Sequence, residues 1–146
     1  MKMTIKLFIA IIAVGLTLVS CRDKEEGFLN IDENAGFTVD SILVYQKPST
    51  TSNQYKYKTA YMTTSMEGIE GTRPLKFTFA EITGDNIEGV QLLQKVIDVK
   101  TGIGKIVIPC EHNLPIGRYK ISIWIENVYN KVLLKDVLTV IVKEKP

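Results

Sequence analysis

Alternation of apolar and polar residues near the carboxyl end constrains the fold of this 146-residue chain most strongly. One side of segment 119–126 carries Tyr119 and three isoleucines, and the other side carries Lys120, Ser122, Trp124 and Glu126. Because successive side chains of a β-strand point to opposite faces, a period of two predicts a half-buried strand. The isoleucine side is the more apolar, so we expect it to face the core and Trp124 to face outward.

The same period recurs along most of the chain, at residues 37–45, 55–61, 75–79 and 105–109. Residues 90–99 are compatible with either a strand or a short helix. Leu114–Gly117 predicts a turn, since Pro and Gly occupy turn positions there. Residues 127–131 then close a hairpin, and residues 132–142 return as one or two β segments. About seven strands with a turn signal every eight to twelve residues predict an all-β, antiparallel sandwich.

Three stretches, Asp98–Gly102, Leu114–Tyr119 and Val137–Val142, resemble the closing half of Ig-like or cadherin-like domains. The Leu-Pro-Ile-Gly-Arg-Tyr corner before a long strand carries most of this likeness. Such domains occur near the amino termini of Bacteroidota surface lipoproteins that handle glycans. The chain has two cysteines and lacks the antibody-type pair, and it has no acidic cluster with calcium-ligand spacing. The resemblance therefore implies an Ig-like sandwich, but neither a true immunoglobulin domain nor a calcium-binding cadherin.

The amino-terminal segment resembles a bacterial lipoprotein signal peptide. Lys2 and Lys6 precede an apolar run from Leu7 to Val19, and Leu18-Val19-Ser20-Cys21 has the pattern of a lipobox. Thirteen apolar residues in a helix span about 20 Å, less than the roughly 30 Å of a hydrocarbon core. This length favours a cleaved signal over a permanent transmembrane helix. An ordinary secretory signal or a short membrane anchor remains the alternative.

The lipobox resemblance implies removal of residues 1–20 and a diacylglyceryl group on Cys21, with an acylated amino terminus. Two or more acyl chains hold a protein stably on a membrane, whereas one chain binds only marginally. Since lipid occupies one of the two cysteines, Cys110 has no partner for an intramolecular disulfide. Its position after an apolar run predicts a buried, small hydrophobic side chain.

A charged run, Arg22 to Glu26, follows Cys21 directly. It is either a solvated tether or similar to the export signal of Bacteroidota surface lipoproteins, which lies in the same place. The resemblance implies a lipid-anchored protein of the outer membrane, with display at the cell surface. We expect a tether over residues 21–35 and one sandwich domain over residues 36–146.

Composition argues against several classes of function. Without Lys2 and Lys6 the mature chain has sixteen basic and sixteen acidic residues, so no basic excess predicts a nucleic-acid partner. His112 is the sole histidine, which rules out a multi-histidine metal site within one chain, and we expect it to be an ordinary surface residue. The nucleophile-elbow, phosphate-loop and zinc-protease motifs are absent. We therefore expect neither an enzyme nor a metal or other cofactor.

Trp124 is the residue most suited to ligand binding, with Lys120 and Glu126 beside it on the outer side of the strand. An outward indole next to polar groups is the arrangement that packs against the C–H face of a sugar. The alternative is that the tether or a neighbouring strand covers that face. Tyr55, Tyr57 and Tyr61 form a second aromatic stripe, for which we expect core packing.

Three functions remain open at this level, of which the third, an enzyme, has the least support in the sequence. The first is a membrane-anchored, non-catalytic module that binds glycans, or supports their capture, at the cell surface. The second is a structural or adhesive module that recognises a protein, such as a partner outer-membrane lipoprotein, for example by strand addition at a sheet edge.

Overall fold

A long hairpin forms the centre of the molecule in the computed structural model, which describes residues 27–146. Its first strand begins at Gly117 and contains the alternating segment 119–126, and its second strand returns from Lys131 to Lys143. Isoleucine dominates the inner side of the first strand, and valine and leucine that of the second. The β-branched side chains among them pack well on a pleated surface. Signal residues 1–20, the Cys21 lipidation site and tether residues 22–26 lie outside the described residues.

Nine strands and two helices follow one another within residues 27–146. They are β1 (Leu29–Phe37), β2 (Ser41–Tyr45), α1 (Asn53–Tyr57), β3 (Tyr61–Met62), β4 (Met66–Gly71), β5 (Lys76–Gly84), α2 (Ile87–Val96), β6 (Asp98–Lys100), β7 (Lys105–Ile108), β8 (Gly117–Glu126) and β9 (Lys131–Lys143). One sheet has the order β2-β9-β8-β5, a second has the order β3-β7-β6, and β1 pairs with β4 in a two-stranded ribbon. This architecture confirms the prediction of an all-β sandwich.

The core lies between the four-stranded and the three-stranded sheet. Tyr119, Ile121, Ile123 and Ile125 of β8 are fully buried, as their alternation predicts. Ile106 and Ile108 of β7 face them across the core and are also fully buried. Leu93 of α2 closes one side of the same cluster.

Tyr119 fixes the start of β8. Its hydroxyl donates a hydrogen bond to the carbonyl oxygen of Pro115 over 3.0 Å, which holds the corner that precedes the strand. Gly89 of α2 lies directly against the ring, and a Cβ at that position would be only 2.6 Å from Tyr119 Cε1. The close approach of α2 to β8 therefore requires glycine there.

The pairing pattern departs from the prediction in two respects. Nine strands are present among the described residues rather than about seven, because β3 and β6 are too short to show a periodic pattern. The sheets are mainly antiparallel, as predicted, but one edge differs: β2 pairs with β9 in parallel, with Ser41 opposite Thr139 and Tyr45 opposite Lys143. Parallel pairing joins segments far apart in the chain, and periodicity within either segment carries no sign of it.

Two local predictions were wrong. Residues 55–61 do not form a strand; Asn53–Tyr57 is helical, and only Tyr61 of the three tyrosines is buried. Residues 29–35 of the predicted tether belong to β1, whose Leu29 lies opposite Gly71 of β4. Pairing with β4 satisfies the backbone of this segment. Leu29, Ile31 and Ala35 alternate along it, but the polar residues 32–34 interrupt the pattern.

The sandwich has two ends, which are defined here by the turns they carry. The hairpin end comprises the β8–β9 turn at residues 127–130 and the adjoining Gly27 and Phe28. The corner end comprises residues 114–117 before β8 and residues 45–47 after β2. Nine residue steps of β8 separate the two ends, a length of about 30 Å at the usual rise of a strand.

Candidate functional site

The indole of Trp124 lies on the outer face of the four-stranded sheet and is half-buried. Thr78 of β5 lies opposite it on one side and Leu133 of β9 on the other. The ammonium group of Lys131 lies 4.8 Å from the centroid of the indole ring, at the distance of a cation–π contact. A sugar stacking on that face of the ring would have to displace the ammonium group.

Lys120 and Glu126 share the outer face with Trp124, but both are engaged in ion pairs. Lys120 Nζ lies 3.1 Å from Asp136 Oδ2, and Lys131 Nζ lies 3.5 Å from Glu126 Oε2. Lys131 thus links Glu126 to Trp124. Lys120 is four residues away along β8, about 13 Å at the rise of a strand, and it lines a separate shallow pocket with Arg118 and Asp85.

A second cleft opens at the corner end, between α1 and the segment that precedes Leu114. We call it the α1 cleft; its volume is about 550 Å³. Its lining residues are Gln46, Lys47, Pro48, Gln54, Tyr55, Lys58, Cys110, Glu111, His112 and Asn113. The volume lies within the range of small-molecule sites in proteins.

Local capping explains why α1 is helical despite its alternating tyrosines. The Oγ atom of Ser52 accepts a hydrogen bond from the backbone N–H of Tyr55 over 3.2 Å, an N-cap contact. Lys58 ends the helix in a left-handed conformation with φ of 54°. The tyrosines are exposed as a result: Tyr55, 51% exposed, lines the cleft, and Tyr57, 72% exposed, does not.

His112 forms the opposite wall and is half-buried, contrary to the surface position predicted for it. Its Nδ1 accepts a hydrogen bond from the backbone N–H of Leu114 over 3.3 Å, and its ring centroid lies 6.3 Å from that of Tyr61. Burial lowers the pKa of His112, which favours the neutral ring. Since Nδ1 accepts, Nε2 carries the proton, and among residues 27–146 this shielded N–H has no hydrogen-bond acceptor.

Two charged groups of the cleft pair with each other, and the third, Lys47, pairs with Glu144 outside the lining. Lys58 Nζ lies 3.0 Å from Glu111 Oε1, and this hydrogen bond and charge raise the pKa of Lys58. Glu111 supplies the one carboxylate in the lining. Cys110, a half-buried free thiol, packs partly against the core, close to the buried position predicted for it. Within the described part of the chain, no group of three or more His, Cys, Asp or Glu side chains is placed to hold a metal ion.

Amide groups give the α1 cleft most of its hydrogen-bonding capacity. Gln46 Nε2 donates to the carbonyl oxygen of Leu114 over 2.8 Å and so joins β2 to the opposite wall. The side-chain amides of Gln54 and Asn113 make no hydrogen bond to other described residues. Each free amide offers both donors and acceptors, which suits a ligand rich in hydroxyl groups.

Sequence reasoning placed the ligand site on β8 and did not find this cleft. Its walls come from segments about 55 residues apart, and neither carries a motif. The one signal that pointed to it was the cluster of Ser49, Thr51 and Ser52, since such residues cap helices and so argue against a strand over the tyrosines that follow.

Comparison with known proteins yields limited similarity. No family model and no curated protein sequence matches this chain. Among solved structures, 56% of the chain resembles part of a SusE-like, surface-located polysaccharide-binding protein from the heparin utilisation locus of Bacteroides thetaiotaomicron, with 22% identity and a TM-score of 0.39. The match spans 13% of that longer chain. At this TM-score the likeness establishes neither the fold nor the function of the present chain.

Proposed function

We propose that this protein is a lipid-anchored, non-catalytic module that binds glycan in the α1 cleft at the outer surface of the cell. The observation that carries the proposal is the composition of the cleft: an exposed tyrosine ring beside free amide groups in a concave space of about 550 Å³. Aromatic rings accept the C–H face of a sugar, and amides hydrogen-bond its hydroxyl groups. Trp124, with Lys120 and Glu126, is the second candidate surface for the same ligand class.

The presence of a single carboxylate in the lining of the cleft supports binding rather than hydrolysis. Glycosidases of the common type use two carboxyl groups on either side of the bond they cleave. The α1 cleft presents Glu111 alone, and Lys58 already neutralises it. His112, held neutral by burial, adds no charge to the cleft.

The lipobox carries the localisation part of the proposal. Cys21 is the lipidation site, and the acyl chains provide the membrane anchor. In residues 27–146, no helix is long and apolar enough to cross a membrane. Cys21→Ala is the direct test: the protein should leave the membrane fraction or keep residues 1–20, as measured by intact mass.

Two tyrosines of the same helix allow a matched test of the cleft. Binding of residues 22–146 to an array of neutral, acidic and sulfated oligosaccharides should fall at least tenfold in Tyr55→Ala, because the stacking surface is lost. Tyr57→Ala removes a more exposed ring that lies outside the cleft, and it should bind as the wild type does.

The outcomes of this test separate the two surfaces. Equal losses in Tyr55→Ala and Tyr57→Ala, or no loss in either, would contradict the cleft as the binding site. A loss confined to Trp124→Ala, with an unchanged melting temperature, would move the site to the outer face of the sheet. If the wild type binds no glycan on the array, the glycan-binding proposal is contradicted.

A protein-binding role is the alternative, and exposed apolar side chains beside β2 favour it. Val39 is 61% exposed and Met62 is 63% exposed, and both line a shallow cleft where the edge strands β2 and β3 meet. An edge strand flanked by apolar groups can receive a strand of a partner protein. Photo-cross-linking from position 62 in membranes would identify such a partner, and adding Val39→Lys to the same protein should abolish the cross-linked product.

A further inference from the structure

The hairpin end carries an exposed apolar tip. Val128 is 71% exposed and Tyr129 is 65% exposed, although both are hydrophobic side chains in a turn of four residues. Turns of this length are usually polar, because their side chains contact water. The tip is flanked by Lys76 and Lys131, which lie opposite Glu126 on neighbouring strands.

The amino-terminal end of the described chain is fastened to this same turn. Asn130 Nδ2 donates a hydrogen bond to the carbonyl oxygen of Gly27, and Asn127 Nδ2 donates to that of Phe28 over 2.9 Å. Tyr129 packs on Gly27 so closely that a Cβ there would lie 2.6 Å from Tyr129 Cγ, and Gly27 has a φ of +89°. The chain therefore enters the domain at the hairpin end, in contact with the apolar tip.

The length of chain before Gly27 limits how far this end can be from a lipid anchor. Six residue steps separate Cys21 from Gly27, at most about 22 Å even when fully extended. The corner end is about 30 Å farther along β8. A lipidated Cys21 thus keeps the hairpin end close to the membrane, whatever path residues 22–26 take.

We propose that the hairpin end is a second membrane contact, in which Val128 and Tyr129 enter the lipid head-group region and the α1 cleft faces away from the membrane. This inference rests on the proposed anchor at Cys21. Tyrosine suits the interface because its ring is apolar and its hydroxyl group can hydrogen-bond to water. Lys76, which forms no ion pair with another described residue, can extend to the level of the lipid phosphates.

A tip of two residues is too small to bind a membrane by itself. The anchor changes this, since it holds the tip at a local concentration in the millimolar range and makes the second contact intramolecular. The contact then sets the orientation of the domain rather than its affinity for the membrane. An end-on orientation presents the α1 cleft to the surroundings of the cell.

Depth-dependent quenching tests this orientation on the processed lipoprotein. A single environment-sensitive fluorophore is attached at Val128→Cys or, as the matched control, at Ile87→Cys, both in a Cys110→Ser background. Ile87 is 78% exposed and begins α2 at the corner end. The proteins are reconstituted into phosphatidylethanolamine–phosphatidylglycerol vesicles that contain a lipid-borne quencher.

We expect the label at position 128 to be quenched at least threefold more strongly than the label at position 87. Equal quenching in a protein that floats with the vesicles would overturn the orientation and leave the anchor intact. Failure to float, with intact mass showing no lipid on Cys21, would overturn the anchor and the orientation together. Adding Tyr129→Asp to the position-128 protein should reduce quenching, and unchanged quenching would contradict a role for the tip.

Discussion

At the scale of single residues, His112 of the α1 cleft makes the stability of the fold depend on pH. Burial lowers its pKa in the folded state, so between that value and the usual value near 6.5 the unfolded chain binds more protons. Stability is therefore fully present above about pH 6.5 and decreases as the pH falls toward the pKa of the folded state. The melting temperature of His112→Gln should change less between pH 7.5 and 5.5 than that of the wild type. Parallel decreases in both proteins would contradict this assignment.

Trp124 and His112 show which properties of a single residue can be predicted from the sequence around it. Alternation with the isoleucines correctly assigns Trp124 to the outer side of β8, since the side to which a residue points depends only on its position in its own strand. The Lys131 ammonium over its ring depends on the register of β9 and is invisible in that pattern. The burial of His112 is likewise invisible in the local pattern, because the Tyr61 ring beside it comes from a segment about 50 residues earlier in the chain.

Strand β8 is the element on which the sandwich depends most. Truncating Ile123 to Ala at its fully buried centre should lower the free energy of unfolding by about 2–5 kcal/mol, through lost transfer energy and a residual cavity. Urea denaturation measures the change, with Val39→Ala as the control at a position that is 61% exposed and where we expect less than about 0.5 kcal/mol. A loss below about 1 kcal/mol for Ile123→Ala would contradict the core assignment.

Elements with a long, regular pattern were predictable, and short or polar ones were not. The alternation in β8 extends over eight residues, so it determines both the type of element and its buried side. The alternation in Tyr55–Tyr61 is equally regular, but the Ser52 cap and the loop before it favour a helix. The apolar alternation of β1, with Leu29 and Ile31 at one end and Phe37 at the other, is interrupted by the polar residues 32–34, and pairing with β4 completes the strand, which is a tertiary effect.

At the scale of the whole molecule, the sandwich class follows from strand number and turn spacing, whereas the topology does not. The parallel β2–β9 pair and the separation of β1 and β4 into their own ribbon require contacts between distant segments. The same contacts place the chain entry and the α1 cleft at opposite ends of β8. A functional arrangement of this kind becomes visible only once the fold is known.

The central claim, that the α1 cleft binds glycan, is tested most directly by chemical-shift perturbation in the isotope-labelled mature chain. A glycan retained on the array is titrated into the protein, and the backbone and side-chain amide signals are followed. We expect the largest shifts at Gln54, Tyr55, His112 and Asn113, with Trp124 unchanged. Shifts centred on Trp124 and Leu133, with none in the cleft, would contradict the claim.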